Sequence, residues 1–127
     1  MFNFLQGLFR WPKFLTITYS YRLTEDGITR HDSDGTIKQV NWNDVSKISI
    51  VTTDQGPFVD DFYYVFCTDQ NVLFVPLDWG VKLELIHHMH EHFPNVDFEA
   101  MIKASGSAEN AEFFVWARGA EQPAQAL

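Results

Sequence analysis

A mainly β fold of the α+β class, with antiparallel strands first and helices after them, is what this 127-residue chain predicts. Two features of its pattern carry that expectation. Between residues 17 and 77, apolar and polar side chains alternate with period two, interrupted by clusters of Asp, Asn and Gly. From Trp79 onward the apolar period becomes helical. The composition agrees: 46 % of residues are apolar and 16 % aromatic, with twelve Phe and four Trp. That is enough for one domain to build a core and too apolar for a disordered chain.

The first strand is read from Ile17, Tyr19, Tyr21 and Leu23 alternating with Thr18, Ser20 and Arg22. Glu25-Asp26-Gly27 is a tight hairpin signal, and Ile28-Thr29-Arg30-His31 starts the return strand. Asp32-Ser33-Asp34-Gly35 then turns the chain into a strand over 36–40. Those four residues resemble the start of a calcium loop. The twelfth position from Asp32 is Asn43, however, where such a loop needs a bidentate Glu, so a hairpin turn is the expectation. A short link, Asn41-Trp42-Asn43-Asp44, leads to strands at 45–53, 62–68 and 72–77, the last two joined by Asp69-Gln70-Asn71. Both faces of 62–67 are apolar, which predicts cover on both sides. Trp42 is expected to pack beneath the sheet.

A single helix is predicted from Trp79 to Pro94, with Trp79, Leu83, Leu85, Ile86, Met89 and Phe93 forming the stripe that faces the sheet. Asp97 then N-caps a second, short helix reaching about Ala104, with Phe98, Met101 and Ile102 inward. A loop at 105–110 precedes a last strand-like run, Glu112-Phe113-Phe114-Val115-Trp116-Ala117-Arg118.

Six hairpin-linked strands followed by a helix is the order of a pleckstrin-homology-like (PH-like) domain. The turn before Ile28 and the run Val40-Asn41-Trp42-Asn43-Asp44-Val45-Ser46-Lys47-Ile48 resemble short uncharacterised bacterial PH-like proteins. The Thr-Thr-Asp-Gln-Gly-Pro loop and the step Pro94-Asn95-Val96-Asp97-Phe98-Glu99-Ala100 are similar to one subgroup of them. The resemblance implies a bent antiparallel barrel of about six to seven strands, capped by a C-terminal helix, with the second short helix in addition. It implies no activity. The chain accordingly divides into an N-terminal apolar segment at 1–14, a PH-like domain at 15–118 and a disordered tail at 119–127.

Charge narrows the range of partners. Seventeen acids against nine bases give −8. Arg10 and Lys13 are the only charged residues among the first fifteen, so the rest of the chain carries −10. Such a field repels phosphate backbones and anionic lipid and steers basic proteins inward. Nucleic acid is therefore not an expected partner, and membrane association is disfavoured. The segment Phe2, Leu5, Leu8 and Phe9 has helical spacing, but Gly7 and Pro12 interrupt it, and packing within the protein or against a second copy is preferred. No run is long enough to span a bilayer. The opening residues lack the basic start and cleavage site of a secretory signal, so a cytoplasmic location is expected. Cys67 cannot form an internal disulfide and is read as a buried structural thiol.

The richest functional feature is the loop Thr52-Thr53-Asp54-Gln55-Gly56-Pro57-Phe58-Val59-Asp60-Asp61. Asp54, Asp60 and Asp61 surround Phe58, an apolar anchor ringed by charge, held between two strands. This pattern points to a non-enzymatic interaction domain that binds a basic protein, such as an inhibitor or immunity-type protein. The alternative is a homo-oligomeric structural or membrane-associated subunit, paired through the final apolar strand or the N-terminal segment, and a third reading is a metal-dependent enzyme using His88 and His92. No catalytic residues and no cofactor are expected. His88 and His92, four apart with Glu84 one turn earlier, are the weak metal candidates, and they make only half of a closed zinc site. His90, between Leu83 and Ile86, is read as a core-edge imidazole.

Overall fold

The structure is a computed structural model and describes residues 18–54 and 62–119. The predicted 1–14 segment, nearly all of the predicted tail, and Phe58, Asp60 and Asp61 of the acidic loop lie outside the described residues. Within them, the chain is mainly β, with seven strands in two antiparallel sheets and three α-helices.

The first sheet has the order β1 (Tyr19–Leu23), β2 (Gly27–Asp32), β3 (Ile37–Asn41). Its turns are local. Thr24 Oγ1 accepts from Gly27 N at 3.0 Å, and Asp34 Oδ1 accepts from Thr36 N at 2.9 Å. Gly35 adopts φ 95°, the left-handed region that its lack of a Cβ permits. The Asp32–Gly35 run is thus a hairpin turn.

The second sheet contains β4 (Lys47–Thr52), β5 (Phe62–Cys67), β6 (Val72–Pro76) and β7 (Ala111–Ala117), in the order β6-β5-β4-β7. The link from β3 to β4 is therefore not a hairpin, contrary to the expected continuous series. A one-turn 3-10 helix at Trp42–Asp44 carries the chain from one sheet to the other. Neither sheet closes on itself among the described residues.

The final strand joins the sheet as the antiparallel neighbour of β4 and carries a bulge. Ser49 opposes Phe114 while Ile48 opposes Trp116, which leaves Val115 as the extra residue. The bulge resets the alternation, so Phe113 and Trp116 both pack on the core. The Val115 carbonyl accepts from Asp97 N at 2.9 Å, tying the bulge to the start of the last helix.

The helices are α1 (Leu77–Lys82), α2 (Leu85–His92) and α3 (Phe98–Ser105). Two of them replace the single helix expected from Trp79 to Pro94. The chain breaks at Glu84, which sits at φ 53° and ψ 46°. Leu85, Met89 and Phe93, spaced by four, are buried, and Ile86 is left 47 % exposed instead of facing the core. Asp97 caps α3 as expected, its carboxylate accepting from Ala100 N at 3.0 Å. The inward face of α3 is Met101 and Ala104; Phe98 is partly exposed and Ile102 is 70 % exposed, correcting the expected orientation.

One core joins the layers. Tyr21, Ile28 and Val40 of the first sheet share one cluster with Ile48, Ile50, Phe62, Tyr64, Phe66, Leu73 and Val75 of the second and with Leu85, Met89, Met101 and Ala104 of the helices. Trp42 is buried against Phe66 and Phe93, as its position predicted. The outward row of β5 is partly covered: Val65 is buried and Tyr63 half-buried. Cys67 is half-buried rather than the enclosed thiol expected. No helix among the described residues is long and apolar enough to cross a membrane.

Candidate functional site

The acidic loop is held at both ends by the second sheet, since β4 ends at Thr52 and β5 begins at Phe62. Its first stem is fastened to the loop before β7. Thr52 Oγ1 donates to Glu109 O at 2.7 Å and lies 3.0 Å from Ser107 Oγ, while Asp54 N donates to Asn110 Oδ1 at 3.2 Å. Asp54, the candidate that can be located, is exposed.

Where the loop rejoins the sheet there is a groove of about 260 Å³, floored by Phe62 and Tyr64 and walled by Leu77, Ile86 and Met101, with Ser105 and Ser107 at one end. A shallower depression of about 360 Å³ continues past Tyr64 along Gly80, Val81, Glu84 and Ile86. The two share Tyr64 and Ile86, and Val81 is 67 % exposed at the margin. The break at Glu84 exposes Ile86, so the departure from a continuous helix is what shapes this apolar surface. Gly80 is fitted to it: a Cβ there would lie 2.5 Å from Tyr64 Cε2.

A second, polar cleft of about 470 Å³ lies at the crossover between sheets, lined by Gln39, Asn41, Asn43, Asp44, Thr68, Asp69 and Arg118 among others. The Arg118 guanidinium is committed to the backbone there, donating to Asn43 O at 2.6 Å and Val45 O at 2.5 Å. Two basic residues of the first sheet are engaged too. Arg30 forms a two-pronged pair with Asp32, at 2.8 and 3.1 Å, and lies over the Tyr19 ring; Lys38 donates to Val72 O.

Helix α2 carries the histidines. His88 and His92 lie on one face with their rings nearly parallel, at 6° and 6.4 Å between centroids. The carboxylate beside them is Glu91; donor-capable atoms of His88, Glu91 and His92 lie within 4.8 Å of one another. Glu84, the expected third group, instead occupies the left-handed junction before the helix. His90 is exposed and packs on Phe98, while His88 is the half-buried imidazole, the reverse of the expected assignment. The signal for Glu91 was present in its spacing: three residues after His88 and one before His92, it falls on the same helical turn. The groove had no such signal, because its walls come from four separate segments.

No family model, no curated protein and no solved structure matches the chain.

Proposed function

We propose that this chain is a non-enzymatic interaction domain, PH-like in the manner of the short bacterial proteins it resembles, that binds a basic protein in the cytoplasm. Asp54, Phe58, Asp60 and Asp61 form the contact, and the groove over Phe62 and Tyr64 receives an apolar side chain of the partner. The concrete form is an inhibitor or immunity-type protein that masks a basic surface. What supports the PH-like reading is a mainly β chain with two antiparallel sheets, six strands preceding the helices.

The observation that carries the proposal is an adjacency along the chain. The loop containing three acids re-enters the sheet at Phe62, the residue that floors the apolar groove. An apolar anchor point beside a charged rim is the arrangement in which a few residues supply most of the binding energy and the charges set rate and register. The net charge of −8 favours a basic partner.

A second reading has its own observation. Phe114 is 56 % exposed on β7, which has β4 as its only paired neighbour among the described residues, so two copies of the chain have an apolar strand edge to share.

Affinity capture from the native host at low salt, repeated with Asp60→Lys and Phe58→Ala, tests the first reading. Each substitution is expected to lower partner recovery about tenfold, the size of a modest hot-spot loss. Undiminished recovery with both variants overturns the proposal. Light scattering of the free chain at several dilutions separates the second reading, which requires a dimer at the higher concentrations.

A further inference from the structure

We infer that His88, Glu91 and His92 form a binding site for a divalent transition-metal ion of the zinc class, open to solvent on one side. The three residues occupy positions i, i+3 and i+4 of α2, so one helical turn delivers two imidazoles and a carboxylate to the same patch. Their donor atoms already lie within 4.8 Å of one another. Zinc takes nitrogen and oxygen ligands at roughly 2.0–2.2 Å, so donors around one ion stand about 3–4 Å apart, and small side-chain rotations close the remaining gap.

The neighbourhood favours that closure. The His92 ring stacks on Trp42 at 5.5 Å and 25°, and Trp42 is buried against Phe66 and Phe93, so one ligand is held by the core. Ordering a ligand in advance removes part of the entropy lost on binding. His88 is half-buried and parallel to His92. Glu91 has a competing contact, its carboxylate 3.5 Å from His87 Nε2, but both side chains are more than half exposed. An exposed pair of that kind contributes little and is easily exchanged for a metal.

The donor set selects the ion. Two imidazoles and one carboxylate suit zinc, copper or nickel, whereas calcium and magnesium call for oxygen cages. Three protein donors leave a coordination position for water or for a group from outside the chain. The site rests on none of the residues of the acidic loop.

The test is a zinc titration of the full chain after removal of metal with chelator, read by calorimetry and by competition with a coloured zinc indicator. One ion per chain is expected. His88→Ala and His92→Ala should each weaken binding by about tenfold or more, in the range seen when metal-site residues are lost. His87→Ala and His90→Ala should leave it unchanged, with circular dichroism confirming that each variant is folded. His92→Ala keeps the test decisive if His88→Ala does not fold. Absence of saturable zinc binding overturns the inference. So does binding that survives His92→Ala intact, or that falls equally in the His87→Ala and His90→Ala controls.

Discussion

Gly27 shows how a single residue fixes the first sheet. It opens β2 directly beneath the backbone of β3, where a Cβ would lie 2.0 Å from Val40 O and 2.8 Å from Asn41 Cα. No rotamer relieves that approach, because the obstacle is main chain. Gly35 is needed for a different reason, with φ at 95° and open space around its Cα. Gly27→Ala should therefore lower the free energy of unfolding by about 3 kcal/mol, as an overpacked site does. Gly35→Ala should lose only about 1–2 kcal/mol, the usual strain of a left-handed residue. Urea unfolding of the two variants beside the parent checks the order. Equal losses would mean that turn conformation, rather than the contact between β2 and β3, governs both positions. The sequence marks both glycines as turn residues. Only the pairing of Gly27 with Asn41 reveals that the first is set by a neighbouring strand.

At the scale of elements, local signals were legible where the physics is local. Period-two alternation located the strands to within a residue or two, and Asp97 announced α3 because a cap is a contact three residues long. The break between α1 and α2 had no such mark, since Glu84 takes the left-handed conformation without Gly or Asn. It is imposed by packing. Leu85, Met89 and Phe93 take the buried row, and Ile86, one position on from Leu85, is left exposed. The same limitation misdirected Phe98 and Ile102, and it hid the groove, which exists only once Phe62, Leu77, Ile86 and Met101 are brought together. The acidic loop was legible as composition, while the carboxylate beside His88 and His92 was passed over. Met89→Ala should consequently destabilise the protein by about 2–5 kcal/mol, as a fully buried truncation does. Ile86→Ala should stay within about 1 kcal/mol, as at most surface positions. Guanidinium denaturation distinguishes these outcomes, and comparable losses would restore Ile86 to the interior.

For the whole molecule, the relation of the two sheets is the structural question, because among the described residues strand pairing joins the members of each sheet and not the sheets to each other. Apolar packing bridges them, reinforced at one edge by Tyr21 Oη donating to Phe74 O at 2.9 Å and Lys38 Nζ donating to Val72 O at 3.0 Å. Tyr21 is 7 % exposed, and burial pushes its hydroxyl from the ordinary 10.0 up to about 12, with the nearby Arg30 pulling partly the other way. Burial raises the Tyr64 hydroxyl as well. A phenol whose folded-state pKa is raised stabilises the fold fully below the unfolded value. That stabilisation is lost as pH rises through the folded one, because the unfolded chain releases its proton first. Stability should thus be flat with respect to Tyr21 up to about pH 10 and fall between about pH 10 and 12, where the unfolded chain has lost the phenol proton that the folded joint still holds. Tyr21→Phe keeps the ring against Trp79 and removes the hydroxyl. It should lose about 1 kcal/mol at neutral pH, the net value of one hydrogen bond, and show a shallower decline above pH 10. Thermal unfolding of both proteins from pH 7 to pH 11.5 measures the two effects together, and parallel curves across that range would show that folding does not shift the Tyr21 hydroxyl.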